Sequence, residues 1–436
     1  MEQKQVLSNA KWIIACKIIQ SLLQLVIGML SARYLGPSNY GLISYASSVV
    51  AFALPIMRLG LNSTLVHELV NAPEKEGEIM GTSLLMNLIS GVLCIFGVTG
   101  FAAVANAGDT TTIIVCILYS LSLVFAALEM IQYWFQYKLQ SKYTSLVMLG
   151  SYLVVSAYKI FLLVTGKSVF WFALTNSLDY GIIAVALIGI YFKLGAKKFR
   201  FSISMAKQML KSSKHYILAA LMVVVFQSTD HIMLTTIDGK MQNGYYAAAV
   251  TCAGVVQFVY SAIIDSYCPL ILSNKKENSP EYGENISRLY CIIIYMSIAQ
   301  SIVFTLLAKP IISILYGSDY APAISVLRIL VWFLAFSYIG TVRNVWILAE
   351  QKQKYLWIIN LTGAFFNIVL NAFMIPVWGA NGAALASLLT QFFTNFILGF
   401  IFKPIRENNR LLLKGLNPVF LKNQGKYFLN VIKSKK

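Results

Sequence analysis

Residues 112–134 read TIIVCILYSLSLVFAALEMIQYW, an uninterrupted apolar run with a single charge, Glu129. A run of this length, wound as a helix at about 1.5 Å per residue, crosses the roughly 30 Å hydrocarbon core of a bilayer. Lipid offers the backbone no hydrogen-bond partners, so a spanning segment of this kind closes its bonds internally as a helix. The same signature recurs along the chain. The spans predicted from it are 12–32, 41–61, 79–105, 112–134, 145–165, 169–192, 215–236, 245–271, 288–307, 323–348, 355–376 and 381–402. Composition agrees: 58% of residues are hydrophobic and 12% charged, against about 45–50% and about 25% in soluble domains. Too little polar surface remains to coat a water-soluble protein. The expected fold is an all-α polytopic membrane protein of about twelve transmembrane helices.

The first run, starting at Trp12, is too long for the apolar core of a signal peptide and lacks a small-residue cleavage site, so it is read as the first span. Cys16, Cys94, Cys116, Cys252, Cys268 and Cys291 all lie in or beside apolar runs without ligand spacing, which predicts buried thiols and neither a disulfide framework nor a metal site. No cofactor motif is present.

The net charge of +18 invites a nucleic-acid reading, but its distribution points elsewhere. With the N-terminus inside, the inner segments carry Lys138, Lys142, Lys193, Lys197, Lys198, Arg200, Lys207, Lys211, Lys214, Lys275, Lys276, Lys352 and Lys354, and the tail adds nine more bases. The outer loops hold Arg33, Lys167, Lys240 and Lys309. This asymmetry predicts that both termini are cytoplasmic and that the basic segments meet anionic lipid headgroups, with no nucleic-acid partner.

The chain repeats itself. Gly36-x4-Gly41 and Gly239-x4-Gly244 fall at matching places, followed by Leu42-Ile43-Ser44-Tyr45-Ala46 and Tyr245-Tyr246-Ala247-Ala248-Ala249. The next turns read PEKEGEI from Pro73 and PEYGENI from Pro280. Six spans per half predicts two six-helix bundles related by a parallel pseudo-twofold axis, with a path between them. The division expected is a first bundle over 1–192, a basic cytoplasmic linker over 193–214 with an amphipathic stretch at Ile203–Leu210, a second bundle over 215–402 and a basic cytoplasmic tail over 403–436.

Several spans carry polar stripes at helical spacing: Lys17, Gln20, Ser21, Gln24 and Ser31; Ser44, Ser48, Arg58 and Asn62; Tyr152, Ser156 and Lys159; Gln257, Ser261 and Asp265; Asn360, Asn367 and Asn371. Two readings stand. Small and amide residues glue helices together; charged ones, costing roughly 2.5–3.5 kcal/mol each at mid-membrane, mark a hydrated passage. Lys17, Arg58 and Lys159, with Arg328 and Arg343, are the candidate substrate-binding cations, together with Gln20, Gln24 and Asn62. Glu129, Asp179, Asp230 and Asp265 are candidates to carry protons or sodium ions, or to pair with those bases. A surplus of bases at membrane depth suits an anionic substrate such as a diphosphate.

The stretches ARYLGPSNYGLISYASSVVAF (32–52), RLGLNSTLV (58–66), DHIMLTTIDGKMQNGYYAAA (230–249), ILYGSDYAPAISVLRIL (314–330) and FFNIVLNAFMIPVWGANGAALAS (365–387) together resemble the Wzx-type O-antigen and capsular polysaccharide flippases, polysaccharide transporters of the MATE-like MOP superfamily. The resemblance covers nearly the whole chain. It implies alternating access around a central cavity in a bacterial inner membrane. The implied substrate is an undecaprenyl-diphosphate-linked repeat unit of O-antigen, capsule or exopolysaccharide. The implied partners are a polysaccharide polymerase and a chain-length regulator. Resemblance to the lipid II flippase implies an ion-coupling group of Asp230, Asn367 and Asn371, with Ser387 or Thr390 beside it. Two rival functions remain: an ion-coupled exporter of small molecules, which would want acids in its cavity, and a membrane polymerase or glycosyltransferase, which would want a large acidic external loop where this chain has short ones.

Overall fold

The computed structural model describes residues 2–195 and 197–423, with side chains from Cys16 onward except Lys17, Ile18, His215, Ala219 and Phe226. All regular structure among these residues is helical. The long helices are α1 (Glu2–Met57), α3 (Glu76–Ala105), α4 (Thr110–Tyr137), α5 (Ser141–Val164), α6 (Val169–Lys193), α7 (Ile203–Asp238), α8 (Lys240–Gly254), α9 (Gln257–Lys276), α10 (Tyr282–Leu315), α11 (Ala323–Ala349) and α12 (Leu356–Phe392). Two short ones, α2 (Leu65–Asn71) and α13 (Arg406–Leu416), flank them.

Among the described residues eight helices are long and apolar enough to cross a membrane, and two bent pairs, one within α7 and one formed by α8 with α9, raise the number to ten. Two of these ten hold two crossings each. α1 breaks at Gly36 (φ 70, ψ 170) and α12 at Gly379 (φ 52, ψ −127), both in conformations that favour glycine. About twelve crossings result, as the apolar runs predict. The repeat also has a backbone expression: Gly239, at the matching place to Gly36, has φ 94 and ψ 171.

Packing groups the chain into two units, Met1–Gly244 and Tyr245–Lys436. The first is built on two apolar clusters, one around Tyr45, Cys116 and Phe172 and one around Trp134, Tyr191 and Met209. The second is built around Tyr260, Tyr290 and Trp346. Each unit ties two of its turns with an ion pair. In the first, Glu76 meets Lys138 at 3.0 Å. In the second, with the signs exchanged, Lys275 meets Glu350 at 2.6 Å, and the Tyr282 hydroxyl also donates to Glu350. All six cysteines are unpaired.

The basic segment after α6 is closely packed. Residues 197–202 run extended across the start of α3, where Gly77 and Gly81 leave no room for a side chain against the backbones of Lys198 and Arg200. The Ser202 hydroxyl then caps α7 by accepting from the Met205 amide. With 36 residues, α7 is about 54 Å long, well beyond one bilayer core. Its first turns include Ile203–Leu210. They bury Met205, Met209 and Ser213 at four-residue spacing and expose Lys207, Lys211 and Lys214. In the tail, α13 docks Asn408, Asn409, Leu412 and Gly415 and exposes Arg406, Arg410 and Lys414. Residues 424–436 lie outside the described residues.

The first unit holds one junction of very close approach. The turn of α1 at Pro37–Gly41 crosses the start of α8: a Cβ at Gly41 would overlap the Lys240 carbonyl, and one at Gly244 would overlap the Pro37 carbonyl. The Asn243 side chain donates to the Gly41 carbonyl at 2.8 Å, and its Oδ1 lies 2.6 Å from His231 Nδ1. The Ser44 hydroxyl sits 3.1 Å from the same nitrogen. Beside this junction Lys240 pairs with Asp109, which also caps α4.

Burial works to raise the Asp109 carboxyl pKa, but hydrogen bonds from Lys240 and Thr112 and the Lys240 charge outweigh it and hold the group below the usual carboxylate range. A depressed folded pKa contributes stability above the unfolded value, and that contribution is lost as pH falls through the folded value. Asp109→Asn is therefore expected to cost no more than about 1 kcal/mol of stability at neutral pH for a partly exposed pair, read as a lowered thermal midpoint. The difference from wild type should close on strong acidification. A gap that stayed constant from neutral to acid pH would rule this linkage out.

Candidate functional site

In the first unit four predicted residues come together. Arg58 follows the end of α1, where Leu59 (φ 50) and Gly60 (φ 68) turn the chain. Its guanidinium lies 3.5 Å from the Glu129 carboxylate. Glu129 is 7% exposed and sits in a 3₁₀ turn, Glu129–Ile131, that interrupts α4. Glu129 feels the charge of Asp179 on α6, and Asp179 that of Lys159 on α5. Asp179 accepts a 2.6 Å bond from the Ser151 hydroxyl, one helical face along from Lys159. The row runs base, acid, acid, base and is neutral overall. Such neutrality is what burial at membrane depth requires, since an unpaired carboxylate there is expensive.

Tyrosines surround the row. Tyr133, four residues after Glu129 on α4, feels both Arg58 and Glu129 and is within hydrogen-bonding reach of Asn62. Tyr152 and Tyr180 face Asp179. Tyr133, Tyr180 and Ser151 are additions to the candidate set. Tyr133 could have been found by its i, i+4 spacing from Glu129, whereas Tyr180 and Ser151 are placed by helix packing alone. Lys17 lies outside the residues with described side chains; Gln20 is half-buried and Gln24 exposed.

Asp230 is buried on α7 beside His231, at the glycine junction. In the second unit Asn371 donates to Asn367 at 3.1 Å, and Asn367 to the Ser387 hydroxyl at 3.4 Å, a polar chain across the break in α12. Asp265 is exposed. Arg328 is also exposed, its Nε donating to the Thr305 carbonyl at 3.3 Å.

Arg343 behaves differently. It is 5% exposed, donates to the Thr394 carbonyl at 2.8 Å and faces Tyr290, with no carboxylate in ion-pair range among the described residues. Thr394 belongs to a π-helical segment, Phe393–Ile397, that follows α12. Such segments loosen the backbone ladder. Side chains supply partners there: the Asn409 amide donates to the Phe396 carbonyl, and Asn395 bonds Gln391. Among the described residues no cluster of three metal-ligating side chains occurs.

The family model described as polysaccharide biosynthesis protein matches residues 6–275. The chain belongs to this family. Within or beside it, the capsular polysaccharide biosynthesis protein CapF of Staphylococcus aureus is 21% identical over 393 residues, covering 88% of this chain and 96% of CapF. Among solved structures, the inward closed conformation of the lipid II flippase MurJ superposes with a TM-score of 0.74 at 16% identity, covering 93% of this chain and 90% of MurJ. An inward-facing multidrug resistance MATE transporter of the MOP superfamily gives 0.66 at 15% identity, over 89% and 94%. The family member described here is thus a multi-pass membrane protein of MATE-like fold. The solved structures that share this fold are a flippase and a transporter.

Proposed function

We propose that the protein flips an undecaprenyl-diphosphate-linked oligosaccharide from the cytoplasmic to the outer leaflet of a bacterial inner membrane by alternating access. The observation that carries the reading is the row Arg58–Glu129–Asp179–Lys159, in which Glu129 is buried and the other three are partly buried, set within a family of polysaccharide biosynthesis proteins. Arg58 offers a planar fork and Lys159 a compact charge to a diphosphate, and the surrounding tyrosines suit sugar hydroxyls and rings. Arg343, held by the last span, and the exposed Arg328 act outside this row. The spans of 1–192 and 215–402 are the two moving halves, joined by the basic segment 193–214 and followed by the tail 403–436. Both termini face the cytoplasm, where the exposed lysines of α7 and the bases of α13 meet anionic headgroups. A polymerase and a chain-length regulator act on the delivered unit.

Transport coupled to a cation is the second part of the reading. The Asn371–Asn367–Ser387 chain of the second unit offers oxygen ligands of the kind a sodium ion takes, and in the first unit the carboxyls of Asp230, Glu129 and Asp179 can exchange protons. The rival role, export of small organic cations, would want a surplus of acids, and the row has as many bases as acids. The test is deletion of the gene: lipid-linked repeat units should accumulate on the cytoplasmic leaflet, protected from an externally added glycan-modifying enzyme. Repeat units found equally accessible from outside in the deletion strain would refute the flippase reading.

A further inference from the structure

α4, α5 and α6, which carry three residues of the row, also form a groove that the row does not use. It has a volume of about 730 Å³ and is walled almost wholly by carbon: Leu121 and Phe125 on α4, Tyr158 on α5, and Trp171, Leu178 and Gly181 on α6. Leu121, Trp171 and Leu178 are each more than a third exposed, so the groove is open along one side. At Gly181 a Cβ would just touch the Phe125 ring at 3.6 Å, so a larger side chain there would occupy part of the groove.

The groove and the charged row are joined by sequence neighbours on two helices. Tyr158 lines the groove and Lys159 belongs to the row; Leu178 lines the groove and Asp179 belongs to the row. Successive residues on a helix point about 100° apart, so α5 and α6 present hydrocarbon on one face and charge on the adjacent one. A ligand meeting both needs a hydrocarbon tail and a charged head, and the flippase reading makes that head a phosphate. A free sugar or an ion meets only one. Straight acyl chains cover any smooth apolar helix face. A recess with aromatic walls adds contacts for a branched, methyl-bearing chain, which packs poorly on a smooth wall.

We propose that this groove holds the polyisoprenoid tail of the carrier lipid while its phosphate engages the Arg58–Lys159 row. The inference rests on the flippase reading for the identity of the lipid, but its test does not depend on transport. The purified full-length protein in nanodiscs is irradiated with a diazirine-bearing polyprenyl phosphate, and the labelled peptides are mapped by mass spectrometry. Label is expected on the segments around Phe125 and Trp171–Gly181. Unlabelled undecaprenyl phosphate should compete at about tenfold lower concentration than dioleoylphosphatidylglycerol. Gly181→Leu should reduce groove labelling about tenfold, and Gly181→Ala should retain it. Ala186→Leu, at the far end of the groove, provides a second block should Gly181→Leu fail to fold.

Equal competition by the phosphatidylglycerol would reduce the groove to ordinary lipid contact and overturn the proposal. So would undiminished labelling of a folded Gly181→Leu or Ala186→Leu protein. The two readings fail separately. Trapped repeat units in the deletion strain together with normal export by the filled-groove variants would sink the groove and leave the flippase standing.

Discussion

Gly41→Ala is expected to be among the most damaging single methyl additions in the chain. The methyl group would overlap the Lys240 carbonyl and approach the Gly244 amide at 2.6 Å. Both are backbone atoms, so no side-chain rotation relieves the conflict; one helix start must move from the other. Gly244 faces the Pro37 carbonyl in the same way, so the crossing is tight from both sides. Overpacking typically costs about 1–3 kcal/mol and more where nothing can yield, which places Gly41→Ala at the upper end of that range or beyond. Movement there also strips the Gly41 carbonyl of its bond from Asn243 and disturbs the His231–Asn243 pair. Gly28, also on α1, is the internal control, because a Cβ there meets nothing within 4 Å. Gly28→Ala should be neutral or stabilising by roughly 0.5–1 kcal/mol through backbone entropy alone. Thermal unfolding of the purified proteins, followed by fluorescence-detected size exclusion, separates the two. Gly41→Ala melting with wild type would mean that the crossing is looser than described.

This junction shows what could be read in advance. The repeated Gly-x4-Gly pairs are visible in the sequence because close backbone approach admits only glycine, and the chemistry leaves a mark one residue wide. The apolar runs are equally legible, since the bilayer imposes a length on each crossing. The breaks at Gly36 and Gly379 are legible for the same reason, as each falls between runs. The partners of the charged residues are not. Arg58 and Glu129 are far apart in sequence, and only the packing of α1 against α4 brings them to 3.5 Å. A stripe of polar residues says which face of a helix they share and nothing about which neighbour receives it. The segment after α6 illustrates a different limit. Its basic residues suggest a solvated linker, yet Gly77 and Gly81 on α3 form a track for it, and that complementarity belongs to two segments at once. Arg343 marks a third limit. A lone arginine in an apolar run reads as a passage-lining cation, whereas its guanidinium supports the Thr394 carbonyl of a π-helical segment, a backbone feature that the sequence does not announce.

The charged row supports the second large prediction, in which stability and transport come apart. Arg58→Ala leaves Glu129, 7% exposed, without its cation. Breaking a buried ion pair from one side costs about 3–5 kcal/mol, an upper bound here because the Arg58 side chain is 28% exposed. Glu129→Ala strands the base instead and should cost less, since Arg58 can turn toward water. Replacing both, as Arg58→Met with Glu129→Leu, removes the uncompensated charge, and such apolar replacement of buried pairs is often neutral or stabilising. The double variant should therefore melt near wild type while Arg58→Ala melts well below it. Surface polysaccharide should nevertheless stay lost in the double variant, because the fork that the proposed function assigns to the diphosphate is gone. Lys159→Met tests the other end of the row: its loss should weaken export while Asp179 keeps the Ser151 bond. A purely structural role predicts the opposite for the double variant, with recovered folding bringing recovered export. Normal polysaccharide display by a stable Arg58→Met/Glu129→Leu protein would thus remove the row from the transport mechanism and leave it as a device for burying a carboxylate.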